Sequence, residues 1–182
     1  MPADLISPTR CVLVLVDYQQ RLMPLIDRGD QVVAHALLLA DAARELGIPV
    51  IGTEQNPAGL GPNLDAIRQR CASTLVKMHF DACEDGLLEA IAGKDEVVIA
   101  GCEAHVCLMQ TALGLLRAGK RVWVVATACG SRSPVDGALA MQRLQAAGAT
   151  LVSSEMVVFE WLRSCRHERF KALLPSLKTR ID

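Results

Sequence analysis

Short, continuous apolar runs alternate along this chain with longer stretches in which apolar residues recur every three or four positions. The runs cover residues 11–16, 50–53, 73–76, 97–100, 122–126 and 149–152. Unbroken β-branched and aliphatic runs of this length predict strands buried on both faces. After the first run, Val33, Ala36, Leu37, Ala40 and Ala43 form an apolar helical face widened by Val32 and Leu39. Asp30 is its candidate cap, and Gly47 with Pro49 its stop. After the fourth run the same periodicity links Val106, Met109, Leu113 and Leu116; after the fifth, Leu139, Met141, Leu144 and Ala147. Ser133 and Pro134 read as N-cap and first residue of that later helix, which stops at Gly148. Ser153 or Ser154 caps a helix through Leu162, and a last short helix falls near 169–174. Shorter helices are expected up to Arg70 and over 85–92, and residues 54–62 read as a turn-rich loop.

Six strand–helix alternations predict an α/β fold: a parallel sheet with helices on both faces. No linker, repeat or low-complexity segment divides the chain, so residues 1–182 read as one domain. The chain is 51% hydrophobic over 182 residues, enough for one sizeable core. With 19 basic and 20 acidic residues, nothing points to nucleic acid or an anionic membrane surface. Aromatic residues make up only 3%, too few for base-stacking platforms. No apolar run is long enough to span a bilayer. Seven cysteines, irregularly spaced and without a CxxC pair, suit neither a disulfide scaffold nor a zinc site. The opening MPADLISPTR lacks a signal-peptide core, and the expected location is the cytoplasm.

Three charged or nucleophilic residues stand at the exits of strands. Asp17 follows the first run, Lys77 the third, and Cys107 lies a few residues past the fourth, in the first turn of the next helix. In a parallel sheet the carboxyl ends share one rim, which is where such folds bind ligands. Each residue has an ordinary reading: Asp17 as a loop or cap residue, Lys77 as a snorkelling surface lysine, Cys107 as a core thiol. Together they form a coherent set. Cys107 is the nucleophile, Asp17 takes and returns its proton, and Lys77 holds the carboxylate and favours thiolate. Backbone N–H groups near Glu103 and Cys107 are candidates for stabilising an oxyanion, and the helix start is expected to lower the thiol pKa.

The segments LVLVDYQ, VKMHFDA and GCEAHVC, in that order and spacing, resemble the isochorismatase-like cysteine hydrolases over essentially the whole chain. TEQNPAGLG, ACGSRS and SSEMVVFEWL look most like isochorismatase-domain proteins of unassigned substrate. The resemblance implies a three-layer α/β/α fold with six parallel strands in the order 3-2-1-4-5-6. It implies a catalytic set of Asp17, Lys77 and Cys107, and a cis peptide bond between Cys102 and Glu103. Gln19, Gln55, Phe80 and His105 are its candidate pocket residues. Family members act on small amides or ureides, or on the vinyl ether of isochorismate. The Asp-x-His metal pattern of the family's nicotinamidases is replaced here by Thr53-Glu54-Gln55-Asn56, so no metal and no cofactor are expected. The presence of Cys107 favours C–N hydrolysis over isochorismate. A non-enzymatic thiol redox sensor on the same fold is the alternative from another class. A small-molecule substrate and a homo-oligomer are expected, with the apolar 156–162 run buried in part at a subunit contact.

Overall fold

The computed structural model describes residues 4–179 and 181. Its strands are β1 (Cys11–Val16), β2 (Val50–Gln55), β3 (Ser73–Lys77), β4 (Glu96–Gly101), β5 (Arg121–Val125) and β6 (Thr150–Val152). Among the described residues these six strands pair in parallel, in the order β3-β2-β1-β4-β5-β6. The helices are α1 (Gly29–Glu45), α2 (Pro57–Leu60), α3 (Asp65–Arg68), α4 (Leu87–Ala90), α5 (Met109–Arg117), α6 (Pro134–Ala146), α7 (Ser154–Leu162) and α8 (Phe170–Lys178). No helix among the described residues is long and apolar enough to cross a membrane.

The β1 run shows why an unbroken apolar sequence was needed. Cys11, Leu13 and Leu15 pack with Leu39 of α1, Trp161 of α7 and Leu173 of α8. Val12, Val14 and Val16 pack on the other side with Leu87 of α4, Leu115 of α5 and Leu144 of α6. Alternate side chains thus feed two cores, and both faces of the sheet are covered.

Several local expectations change. β2 runs on to Gln55, because Glu54 and Gln55 pair with Val76 and Lys77 of β3; ladder bonding outweighs their polar side chains. The loop expected over 54–62 is therefore partly strand, and it also holds α2. Asp30 does not cap α1: the N-cap is Arg28 in a left-handed conformation, and Asp30 sits in the first turn. The helix expected over 85–92 is a 3₁₀ turn, Ala82–Asp85, joined to α4 through Gly86 at φ 97°. In α6 only Ala140 and Leu144 are buried, while Leu139 is 56% exposed. α8 continues past Leu174 to Lys178 with Pro175 inside it. Ser133 and Ser153 do cap α6 and α7, accepting from Asp136 N at 3.3 Å and Met156 N at 3.2 Å. In α7, Val157, Val158, Trp161 and Leu162 are buried, and Met156 and Phe159 are exposed.

The largest local departure precedes α5. Residues Ala104–Leu108 form a π-helical turn, in which the Glu103 carbonyl accepts from Val106 N at 3.0 Å and Leu108 N at 3.3 Å. A π turn inserts an extra residue and shifts the face that follows. The deep row is accordingly Leu108, Ala112 and Leu115, while Val106, Met109, Leu113 and Leu116 are half-buried on its flank.

Candidate functional site

Register sets the site. Val16 lies opposite Thr53 on one side and Gly101 on the other, and Gln55 lies opposite Lys77. The exits of β1, β2, β3 and β4 therefore meet at one rim. At that rim β1 ends in Asp17, whose φ of 55° is the left-handed region that Asp tolerates better than most residues. Such a conformation persists where surrounding bonds over-determine it. Asp17 N donates to the Thr53 carbonyl at 3.2 Å, and the Thr53 hydroxyl donates to Asp17 Oδ1 at 2.6 Å.

The second carboxylate oxygen, Oδ2, faces Lys77 Nζ at 2.8 Å as an ion pair. It lacks the alignment of a hydrogen bond and has no other partner. Both residues are buried. The Lys77 ammonium also donates to Gln55 Oε1 at 2.6 Å, and more distantly to the His79 and Phe80 carbonyls, each at 3.4 Å. Lys77 is thus no surface lysine, although it lies on the outermost strand; polar atoms at the rim hold it inward.

Cys107, in the π turn, is 6% exposed, and its thiol donates weakly to Gln55 Oε1 at 3.9 Å. Burial, and then the negative charge of Asp17, push the thiol up to about 12; Lys77 lowers it only in part. The expected lowering at a helix start is overturned. Such end effects are worth about 0.3–1 kcal/mol at exposed sites, less than desolvating a thiolate beside a carboxylate.

Gly101 brings β4 close enough to matter. Its φ is 154°, and a Cβ there would overlap the Val16 carbonyl oxygen. Beyond it, Cys102 N donates to that same carbonyl at 2.9 Å, the Cys102–Glu103 peptide bond is cis, and Ala104 N donates to Gly130 O at 2.7 Å. Cys102 is buried, and desolvation raises its pKa well above the ordinary thiol value.

The remaining candidates divide by what their polar atoms do. Gln55 touches both Lys77 and Cys107. Gln19 lies beneath, fully buried, donating to Gln55 O at 3.0 Å and Gly61 O at 2.6 Å and accepting from Gln55 N at 2.8 Å. Phe80 offers its carbonyl to Lys77, and its ring is half exposed. It borders an open groove of about 700 Å³ with Met78, Met109, Leu113, Arg117 and Arg143. The Glu103 carboxylate accepts from Arg132 N at 3.0 Å and from Arg132 Nε, just ahead of α6. Burial works to raise that carboxyl, and Arg132 holds it below its usual range. His105 Nδ1 pairs with Ser131 Oγ at 2.9 Å. Thr53 is the site residue that the sequence reading missed. Its signal was its register opposite Val16, which sets its hydroxyl beside the residue after β1.

Comparison with known proteins adds a lineage to this geometry. Residues 11–156 match the isochorismatase domain family. Isochorismatase domain-containing protein 2A of Mus musculus is 34% identical over 176 residues, covering 95% of this chain and 85% of the mouse protein. The solved MAR1 ribonuclease of Caenorhabditis elegans superposes with a TM-score of 0.94 at 32% identity, covering 98% of this chain and 95% of its own. YcaC from Pseudomonas aeruginosa, solved with hexane-2,5-diol and covalent acrylamide, gives 0.90 at 27% identity over 98% and 94%.

Proposed function

The chain belongs to the isochorismatase domain family, and from that premise we propose that it hydrolyses the C–N bond of a small amide or ureide through Cys107. The observation that carries this reading is that Asp17, whose Oδ2 faces Lys77 and has no hydrogen-bond partner, acts by its charge on the buried Cys107 thiol. A carboxylate so placed is a base waiting for a proton.

The thiol is stored neutral. As the sulfur attacks the substrate carbonyl, its proton passes to Asp17 Oδ2, an S–C bond forms, and the carbonyl π electrons move to oxygen. The N–H groups of Glu103 and Cys107 are the candidate donors for that oxyanion. Collapse breaks the C–N bond, and Asp17 returns the proton to the departing nitrogen, which leaves as ammonia or an amine. Water then attacks the thioester, Asp17 takes the water's proton, and the sulfur departs and is reprotonated. Lys77, paired with Asp17, offsets the negative charge on sulfur. The YcaC neighbour was solved with covalent acrylamide, and acrylamide is a thiol acceptor, so a protein of this fold carries a group reactive toward a small amide.

The alternatives are weaker on chemistry. Vinyl ether hydrolysis of the isochorismate kind needs an acid and leaves Cys107 without a task. A redox sensor needs an accessible, low-pKa thiol, and this one is buried and raised. The C. elegans neighbour is called a ribonuclease; here a net charge of −1 offers no phosphate-binding excess. The test is an ammonia-release screen over small amides and ureides, with RNA cleavage as a parallel arm. Wild type is expected to release ammonia from at least one amide or ureide, and Cys107→Ala from none. Turnover that survives Cys107→Ala, or activity on RNA alone, overturns the reading.

A further inference from the structure

We propose that Gln55 is a positioning residue: its side-chain carbonyl holds the Lys77 ammonium between Asp17 and the sulfur of Cys107. Lys77 Nζ has two close oxygens, Gln55 Oε1 at 2.6 Å and Asp17 Oδ2 at 2.8 Å. The other two acceptors, the carbonyls of His79 and Phe80, are long at 3.4 Å. Gln55 Oε1 is the short hydrogen-bond acceptor of the ammonium, while Asp17 Oδ2 holds it by charge; the bond to Gln55 is what sets the direction of its N–H groups. Gln55 Oε1 is itself 3.9 Å from Cys107 Sγ, so the atom that orients the ammonium is also in contact with the thiol.

Gln55 is in turn held from three sides. Its Nε2 donates to Met78 O at 2.8 Å, its backbone N–H donates to Gln19 Oε1 at 2.8 Å, and the β2–β3 register sets it opposite Lys77. Both polar atoms of its side chain are engaged within the protein, and the residue is 8% exposed. That suits a group that aims a neighbour better than one that meets a substrate. The assignment replaces the expectation that Gln55 lines the pocket, and it rests on the reading of Cys107 as nucleophile.

The charged groups acting on the sulfur are Asp17 from the end of β1 and Lys77 from the end of β3. From the π turn, Glu103 is engaged by Arg132 and His105 by Ser131. From the segment after β3, Asp81 pairs with Arg117, and Asp85 accepts from Met78 N and His79 N. A change at Gln55 therefore reaches the thiol through Lys77 or by direct contact.

Methyl methanethiosulfonate tests this in the full-length protein. It carries no amide, and its transfer of a methylthio group reports thiolate alone, read by mass spectrometry of the Cys107 peptide. Gln55→Met keeps the size of the side chain and removes the acceptor. It is expected to slow modification of Cys107 about tenfold at each pH from about 7 to about 8.5, where the fold is stable, which displaces the rising pH–rate line alkaline by about one unit. In any amide assay it should lower kcat with KM unchanged. Gln55→Asn, which withdraws the amide oxygen from Lys77 without adding charge, is expected to displace the line the same way and serves if the Met variant does not fold. Rates within twofold of wild type across the pH range, in whichever variant folds, overturn the proposal. So does a rise in KM with modification unchanged, which assigns Gln55 to the substrate instead. Wild type that releases no ammonia while the Gln55 dependence of modification persists removes the hydrolase reading and leaves the positioning role standing.

Discussion

Lys77 Nζ lies 2.8 Å from Asp17 Oδ2, and neither side chain is exposed to solvent. A pair so enclosed is a mutual dependence: each charge is tolerated because the other is present. Asp17→Asn or Lys77→Met alone is expected to destabilise the protein by about 3–5 kcal/mol, because a lone charge stays buried. The double variant Asp17→Asn/Lys77→Met should recover most of that loss. Urea unfolding of the four proteins reads the coupling directly; losses that simply add would show that the two charges do not support each other.

Gly101 is the tightest backbone approach at the rim. Gly101→Ala forces a side chain at φ 154° against the Val16 carbonyl. The expected cost is about 2–4 kcal/mol, from overpacking and a disallowed conformation combined. A much larger drop in Cys107 modification than in melting temperature is also expected, since the π turn is displaced with the strand. An unchanged melting temperature would show that β4 can move away freely.

Alkaline pH should weaken this protein more than its net charge suggests. Desolvation pushes Cys11, Cys83, Cys107 and Cys129 up to about 12, and Cys71 to about 11. These thiols ionise near pH 9 in the unfolded chain but stay neutral in the fold. The unfolded state therefore loses protons first, and stability falls as pH rises from about 9 through 12. Under reducing conditions the urea midpoint should hold steady up to about pH 8.5 and then drop steeply. A flat profile to pH 11 would mean that the thiols reach water in the native state.

Ser153 fixes the start of α7, the helix that carries Val157, Val158, Trp161 and Leu162 into the core. Ser153→Ala is expected to cost about 1 kcal/mol, and Ser133→Ala at α6 a similar amount. Thermal melts of both variants check this. If Ser153→Ala costs nothing, burial alone sets the position of α7.

The architecture was readable because six apolar runs and their intervening helical faces are strong, redundant signals. The order of strands came from family resemblance, since periodicity fixes alternation and leaves neighbours open. Boundaries slipped where backbone pairing beat side-chain polarity, as at Glu54 and Gln55. The α5 face slipped because a π turn carries no periodic mark of its own. At the site, charge at a strand exit pointed to Asp17 and Lys77, whereas Thr53 was invisible until register placed its hydroxyl beside Asp17. The resting state of Cys107 was misjudged for a physical reason: helix-end effects can be read from a sequence, while depth of burial cannot.

Lys77 is the last residue of β3, and among the described residues β3 has a neighbour on one flank alone. A border strand is the first part of a sheet to fray. Mild denaturant should therefore detach the ammonium while the β1–β4 centre stays folded. On the proposed mechanism, turnover vanishes well before circular dichroism changes, so a correctly folded signal is a poor guide to how much working protein a preparation holds.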